Sequence, residues 1–199
     1  MLGLVSLVIA YLLGSIPFGF LLVKFTKGAD VRASGSGNIG ATNVLRTSGK
    51  AEGIATLLLD IAKGFFAVWI AAKLTDDSSL WTSLAALAVM AGHAFPVFLQ
   101  FKGGKAVASF IGAFLYLTPL PLAIALLLFV AVVARTKHIS AGSILAAAAF
   151  PFGVWMILHP PVEVTLVAFI AGAFVVYRHS SNIQRLRAGT ENVFSWKKS

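Results

Sequence analysis

Long apolar stretches alternate with short polar ones along the whole chain, and their lengths predict the elements. A helix that crosses a bilayer needs about 20 apolar residues. Five stretches are of this kind: residues 2–25, 54–74, 80–98, 141–158 and 162–177. A further apolar stretch, residues 106–134, is divided by Thr118-Pro119-Leu120-Pro121 into two short pieces. The pattern predicts an all-α, polytopic membrane bundle of about seven transmembrane helices, with residues 1–199 forming a single domain.

The two short pieces leave the topology with one alternative. They either cross the bilayer separately, which gives seven crossings, or form a re-entrant hairpin, which gives five. Both counts are odd, so the two ends of the chain lie on opposite sides in either case. Residues 2–25 lack a cationic start and a small-residue cleavage site, so we expect a retained helix rather than a signal peptide.

Composition and charge support this interpretation. Hydrophobic residues make up 58% of the chain and charged residues 12%, whereas soluble domains have roughly 45–50% and 25%. The net charge is +9, but nucleic-acid-binding proteins are rich in charge, so we expect no nucleic-acid partner. With the N-terminus outside, every lysine and arginine except Lys73 falls on the inner side. The positive-inside rule therefore predicts that the N-terminus lies outside and the C-terminus lies on the cytoplasmic side.

Three inner-side segments are unusually polar and rich in glycine. The first, residues 34–46, reads Ser-Gly-Ser-Gly-Asn-Ile-Gly-Ala-Thr-Asn-Val-Leu-Arg. Glycines allow close backbone approach, so we expect a nest of free amides that binds an anion, with Asn43 and Arg46 as further donors. The alternative is a flexible surface loop, although a linker has no need of amide side chains at this spacing.

The second segment combines Gly-His-Ala-Phe-Pro at residues 92–96 with Phe-Lys-Gly-Gly-Lys at residues 101–105. Lys105 begins a helix whose positive dipole end attracts phosphate. The segment is not a P-loop, because Ala106 follows the lysine and Leu99 stands where a glycine is required. Lys102 is interpreted as a positive-inside anchor.

The third segment, residues 178–191, places His179, Asn182 and either Arg185 or Leu186 on one helical face. Binding of anionic lipid is the alternative, and it explains Arg187, Lys197 and Lys198. A related stretch, residues 138–143, opens another helix with Ser140 as the expected N-cap and contains Ser143.

Asp60 and Lys63 lie three residues apart inside a predicted span. A lone charge there costs about 2.5–3.5 kcal/mol, so we expect an ion pair, with either a structural or a catalytic role. The inner-side carboxylates are too scattered for two-metal chemistry. The chain also lacks cysteine, a Gly-x-Ser-x-Gly elbow and a His-x-x-x-x-Asp pair. We therefore expect no metal, no cofactor and a substrate that is already activated.

The three segments, together with Asp60-Ile-Ala-Lys63-Gly64, resemble the bacterial membrane acyltransferases that use acyl phosphate to acylate glycerol 3-phosphate. The resemblance covers essentially the whole chain. It implies transfer of a fatty acyl group from acyl phosphate to the 1-hydroxyl of glycerol 3-phosphate, giving lysophosphatidate and inorganic phosphate at the cytoplasmic face. The implied partners are acyl phosphate, glycerol 3-phosphate and membrane lipid.

Carrying the family motifs onto this chain implies a set of site residues. The expected catalytic residues are Ser36, Lys105, His179 and Asn182. The expected substrate-binding residues are Gly37, Asn38, Gly40, Thr42, Asn43, Arg46, His93, Gly103, Gly104 and Ser143. The general base stays open among His179, His93 and a phosphate of the substrates.

Two rival functions belong to other classes. A transporter for a phosphorylated solute predicts polar residues in mid-membrane and often inverted repeats, whereas polarity here is confined to the inner side. A metal-dependent phosphotransferase predicts loss of activity with EDTA.

Overall fold

The structure is a computed structural model that describes residues 1–194. All of its regular elements are helical. The ten α-helices of the described residues are α1 Leu2–Ser15, α2 Phe18–Lys27, α3 Ala41–Thr47, α4 Lys50–Leu74, α5 Ser79–Ala94, α6 Val107–Leu117, α7 Pro119–Thr136, α8 Ile139–Leu158, α9 Val162–Arg178 and α10 Ser180–Arg187. Short 3₁₀ turns occupy Val31–Ala33 and Val97–Leu99.

The chain folds as two compact units, Met1–Leu117 and Thr118–Ser199. In the first unit, α1 packs along α5, and α4 packs along both α5 and α6. In the second unit, α8 packs against α7 on one side and α9 on the other.

Five segments are long and apolar enough to cross a membrane: Leu2–Lys27, Lys50–Leu74, Ser79–Leu99, Pro119–Thr136 and Ile139–Leu158. The pair α9 and α10, bent by 56°, makes a sixth if it counts as one span. Of the two short pieces expected in residues 106–134, α7 has 18 residues and is long enough. The other, α6, has 11 residues, about 17 Å of helix against a hydrocarbon core of about 30 Å. The count of seven crossings stays a prediction.

The first predicted helix is broken in the middle, between α1 and α2. Pro17 has no N–H to donate and restricts the backbone of the residue before it. Ile16 is accordingly extended, with φ −64° and ψ 114°. The break leaves the carbonyl of Ile16 facing inward, and this carbonyl accepts a hydrogen bond from Lys63 Nζ at 2.8 Å.

Glycines set the closest helix contacts of the first unit. A Cβ atom on Gly14 of α1 would overlap the backbone of Val89, and one on Gly92 of α5 would overlap the carbonyl of Tyr11. Such contacts between small residues allow backbones to approach closely, as is common in membrane bundles. In the second unit Gly172 of α9 meets the carbonyl of Ala147 in the same manner.

Candidate active site

The first polar segment is folded around one buried amide, that of Asn43, which is 2% exposed. Its Oδ1 atom accepts the backbone N–H of Ser36 and the Nη2 of Arg46, both at 2.9 Å. Its Nδ2 group donates to the carbonyls of Asn38 at 2.9 Å, Ser34 at 3.1 Å and Val31 at 3.3 Å. An amide side chain has two donor hydrogens and two acceptor lone pairs, so the protein itself uses the full capacity of Asn43.

The expected nest of free amides in this loop is corrected by the structure. The amide of Gly37 donates to Ser34, the amide of Gly40 donates to Asn38 Oδ1 at 2.8 Å, and that of Ser36 donates to Asn43. A tight turn satisfies its own backbone donors in this way. Gly37 is needed for its positive φ of 69°, which other residues rarely adopt.

The loop also carries exposed polar side chains that can contact a ligand. Ser36, Thr42 and Arg46 are exposed, and the Arg46 guanidinium is held in place by Asn43. Thr42 and Arg46 lie on α3, a short helix that the sequence analysis did not anticipate. The glycine-rich sequence before α3 is typical of a loop, so the pattern does not indicate this seven-residue helix.

An apolar cluster joins the first polar segment to the second. Val31, Ile39 and Val44 are buried together with Val23 of α2 and with Leu99 of the 3₁₀ turn before Lys105. Buried apolar area stabilises such a contact by about 25 cal/mol per Å². The loop around Asn43 and the turn that leads to Lys105 thus share one hydrophobic support.

The second segment folds back over the end of α5. We call residues 100–106 the strap. Its Gly103 amide donates to the carbonyl of Ala94 at 3.2 Å, and the Gly104 amide donates to that of His93 at 3.0 Å. A Cβ atom on Gly104 would overlap Nε2 of His93, so the two expected binding glycines serve close packing. Gly104 is buried, and Lys105 is half-buried.

The strap holds three non-glycine residues with positive φ: Gln100 at 53°, Phe101 at 61° and Ala106 at 61°. A left-handed conformation costs an L-residue about 1–2 kcal/mol, and such strain persists only where the surroundings over-determine it. Ala106 directly follows Lys105, and Phe101 lies two residues before Gly103. The direction of the Lys105 side chain is therefore set by a constrained backbone.

Behind the strap lies a buried cluster of charge formed by Asp60, Lys63 and His93, of which the Asp60 and Lys63 pair was expected. Lys63 Nζ is 2.8 Å from Asp60 Oδ1, and the same ammonium also caps the helix break at Ile16. His93 Nδ1 lies 3.6 Å from Asp60 Oδ1, which makes an electrostatic contact rather than a hydrogen bond. All three side chains are at most 4% exposed, so each charge depends on its neighbours.

The position of α6 explains why the strap reaches this cluster. A Cβ atom on Gly64 would overlap the carbonyl of Ser109, and one on Gly112 would overlap the carbonyl of Ile61. At the other end of α6, the Tyr116 hydroxyl donates to Asp77 Oδ1 at 2.8 Å. The short helix thus lies along the second half of α4 only. The first turn of α6, at Ser109, therefore meets Gly64 near the middle of α4.

In the second unit the third segment is held by a carboxylate, Glu191, which the sequence analysis counted only as a scattered acid. Its Oε1 accepts from Asn182 Nδ2 at 2.7 Å and from the Ser140 hydroxyl at 2.9 Å. Its Oε2 accepts from Arg185 Nε at 2.7 Å. Asn182 and Arg185, expected on one helical face, do converge. The signal for Glu191 was weak because it lies six residues after Arg185 in irregular backbone.

This arrangement has two consequences. Burial disfavours the ionised form of Glu191, but the hydrogen bonds from Asn182, Ser140 and Arg185 outweigh it and hold the pKa of this carboxyl below the ordinary value of 4.5. The expectation that Ser140 caps α8 is wrong. The N-cap residue is His138, and Ser140 lies in the first turn, where its hydroxyl turns to Glu191 instead.

His179 lies at the bend between α9 and α10 and is 3% exposed. Its Nδ1 is 2.7 Å from the carbonyl of Val175. Because a carbonyl only accepts, Nδ1 carries the proton, and the second ring nitrogen of a neutral His179 is the basic one. Ser143, also buried, donates its hydroxyl hydrogen to the carbonyl of Ile139 at 3.0 Å, which leaves the oxygen lone pairs as its ligand groups.

The described residues form an all-helical protein with five segments long and apolar enough to cross a membrane, and each of its two units carries buried polar side chains near helix ends. These features define the class of an integral membrane helix bundle. The family model described as glycerol-3-phosphate acyltransferase matches residues 4–189. The chain belongs to this family. It is therefore an integral membrane enzyme that acylates glycerol 3-phosphate to lysophosphatidate, a reaction of phospholipid biosynthesis.

Individual relatives agree with the family. A glycerol-3-phosphate acyltransferase of Geobacter sulfurreducens is 49% identical over 191 residues, covering 96% of this chain and 97% of its own. The enzyme of Desulforamulus reducens is 48% identical, covering 95% and 94%. The crystal structure of PlsY (YgiH) in its glycerol 3-phosphate form superposes with a TM-score of 0.92 at 38% identity, covering 97% of this chain and 96% of that one. Its lysophosphatidic acid form gives a TM-score of 0.89.

Proposed function

We propose that the enzyme takes its acyl group from acyl phosphate and delivers it to the 1-hydroxyl of glycerol 3-phosphate. The glycerol oxygen attacks the acyl carbonyl carbon, and the bond from that carbon to the phosphate oxygen breaks. Lysophosphatidate and inorganic phosphate are the products. No acyl-enzyme is needed, because the phosphate of the donor is already a good leaving group and the chain has no cysteine.

One observation carries this proposal: two cationic side chains of the first unit are held in place by the residues around them. Arg46 is held by the buried Asn43, and Lys105 lies within the strained strap, two residues before α6 begins. The loop and the turn before the strap share one apolar cluster. Two cations on preorganised backbone suit a reaction in which both substrates carry phosphate. Asn43 acts as a positioning residue, because the protein uses all of its hydrogen bonds.

We assign Lys105 and Arg46 to phosphate binding, with Ser36 and Thr42 as hydroxyl donors and Asn38, Gly37 and Gly40 shaping the loop. In the second unit, Asn182 and Ser143 supply polar groups beside His179. His179 is the proposed general base, because Nδ1 is fixed on Val175 and Nε2 is the basic nitrogen. His93 instead faces Asp60 and Gly104. If His179→Ala retains most of kcat, the phosphate of a substrate takes the proton instead.

We further propose that the chain works as one domain in the bacterial inner membrane, with the N-terminus outside and the reaction at the cytoplasmic face. The family model crosses the boundary between the two units, and fifteen of the sixteen cations fall on one side in this topology. A C-terminal reporter that is active only in the cytoplasm tests the orientation. An inactive reporter on a functional protein reverses it.

The donor is tested with purified enzyme by measuring phosphate release from palmitoyl phosphate with and without glycerol 3-phosphate, beside palmitoyl-CoA as alternative donor. We expect phosphate and lysophosphatidate to form in equal amounts and only when both phosphorylated substrates are present. Transfer from palmitoyl-CoA without any from palmitoyl phosphate overturns the proposal.

A further inference from the structure

The buried cluster of Asp60, Lys63 and His93 has no part in the reaction as proposed, and the structure places its His93 ring against Gly104, the residue before Lys105. Lys63 Nζ contacts Asp60 at 2.8 Å and the Ile16 carbonyl at 2.8 Å. Its ammonium also lies 5.6 Å from the centre of the Phe18 ring. One cation thus ties α4 to the break between α1 and α2, and Asp60 balances its charge.

Asp60 also faces the ring of His93, with 3.6 Å between Oδ1 and Nδ1. The opposite side of that ring packs on Gly104, so closely that a single methyl group there would overlap Nε2. The backbone carbonyl of His93 accepts the Gly104 amide at 3.0 Å. The His93 ring is therefore enclosed between a fixed carboxylate and the strap.

The strap needs such an enclosure. Its residues Gln100, Phe101 and Ala106 hold positive φ values, and a strained backbone relaxes once its surroundings allow it. Lys105 lies between Gly104, which rests on His93, and Ala106, which is strained. A shift of the His93 ring is therefore transmitted directly to the backbone of Lys105.

We propose that Asp60 and Lys63 are positioning residues for the acyl transfer, acting through His93 to fix the strap so that Lys105 points at the substrate phosphate. This inference rests on the proposed phosphate-binding role of Lys105. Asp60 fixes the ring, the ring fixes Gly104, and Gly104 fixes Lys105. A catalytic group displaced by about 1 Å loses rate by about 10²-fold.

The test replaces both buried charges together, as Asp60→Asn with Lys63→Gln, so that neither remains alone in the bundle. Steady-state kinetics are measured with palmitoyl phosphate and glycerol 3-phosphate each varied, in this variant, in Lys105→Ala and in the triple variant. We expect kcat/KM to fall by about 10²-fold in the charge variant, with a raised KM for a phosphorylated substrate. In the Lys105→Ala background the same change has less than a twofold further effect.

A merely structural role gives a different pattern. Partial unfolding reduces the fraction of active enzyme, which lowers the apparent kcat and leaves KM unchanged. In the triple variant, that loss would then multiply the loss caused by Lys105→Ala. That result, or full activity of the charge variant, overturns the inference. If Lys105→Ala is itself fully active, the proposed role of Lys105 fails as well, so the two failures are distinguishable.

A second pair of variants keeps the inference testable if the charge variant does not fold. Gly104→Ala places a methyl group against His93, and we expect it to reduce both the melting temperature and kcat/KM. Combining it with His93→Ala removes the overlap, so the melting temperature recovers while kcat/KM stays about 10²-fold low. Recovery of both quantities overturns the inference. Gly153→Ala is the matched control, because its Cβ atom meets neighbours only at 3.9 Å or beyond.

Discussion

Replacement of Asn43 tests whether the first polar segment is a built site or a flexible loop. The side chain makes five hydrogen bonds to Ser36, Arg46, Asn38, Ser34 and Val31. The carbonyls of Val31 and Ser34 keep a second partner within the loop, namely the amides of Ser34 and Gly37. The Asn38 carbonyl and the Ser36 amide lose the partner that closes the loop onto α3.

At about 1 kcal/mol net for each hydrogen bond, Asn43→Ala withdraws roughly 3–5 kcal/mol from the folded loop. Each 1.4 kcal/mol corresponds to a factor of ten, so we expect kcat/KM to fall by between about 10²-fold and a few thousand-fold. The transmembrane helices do not depend on this amide, so the melting temperature in detergent should change by only a few degrees. Asn43→Asp should lose at least as much kcat/KM as Asn43→Ala, because it places a carboxylate oxygen against three carbonyl oxygens.

The assay measures acyl transfer from palmitoyl phosphate together with amide hydrogen exchange across residues 31–40. Faster exchange in this range and lost activity should occur together. Thr47→Val is the matched control on the same helix, since the exposed Thr47 hydroxyl contacts only the neighbouring Asn43 carbonyl at 2.8 Å and the Ser48 hydroxyl at 3.4 Å among the hydrogen bonds of the described residues. If Asn43→Ala keeps its activity within threefold and its exchange unchanged, the loop does not depend on this side chain and the reasoning is refuted.

Three further predictions follow from particular contacts. Lys105→Ala should lower kcat/KM by about 10–150-fold, because a charged hydrogen bond contributes roughly 1.5–3 kcal/mol. Lys102 is exposed, and Lys102→Ala should stay within twofold of the unchanged enzyme. Equal losses in both variants would contradict the assignment of Lys105 to phosphate binding. Glu191→Ala should destabilise the attachment of residues 188–194 by about 2–3 kcal/mol. Folding lowers the pKa of Glu191 below 4.5. The stabilisation that this carboxylate gives the segment is therefore complete above pH 4.5 and is lost as the pH falls through the folded-state pKa. The rate of proteolysis of the segment should rise over that pH range, and Glu191→Gln, the control, should show no such pH dependence. Gly92→Val should lower the free energy of unfolding by about 1–3 kcal/mol, because its side chain overpacks against the carbonyl of Tyr11. The variant should melt at a lower temperature than the control Gly153→Ala. An unchanged melting temperature would show that α1 and α5 do not pack there.

The resemblance of three polar motifs correctly identified the family, because those motifs are long, ordered and separated by apolar helices. The chemistry of individual positions was less visible. Asn43 has the residue type of a ligand, and so do Gly103 and Gly104. The structure shows the amide holding a loop and the glycines accommodating a histidine ring. A sequence pattern gives the type of a residue but not the partners that use its hydrogen bonds.

The sequence by itself determined the membrane bundle, the excess of cations and the family. These properties depend on composition, on the length of apolar runs and on local spacing, which are all present in the linear chain. Only the tertiary structure decided that the amides of Ser36, Gly37 and Gly40 are already in use and that Glu191 gathers Asn182, Ser140 and Arg185. It also placed Gly104 of the strap against His93, which faces Asp60 of α4. These contacts join residues that are distant along the chain, and their geometry depends on how the helices pack against one another.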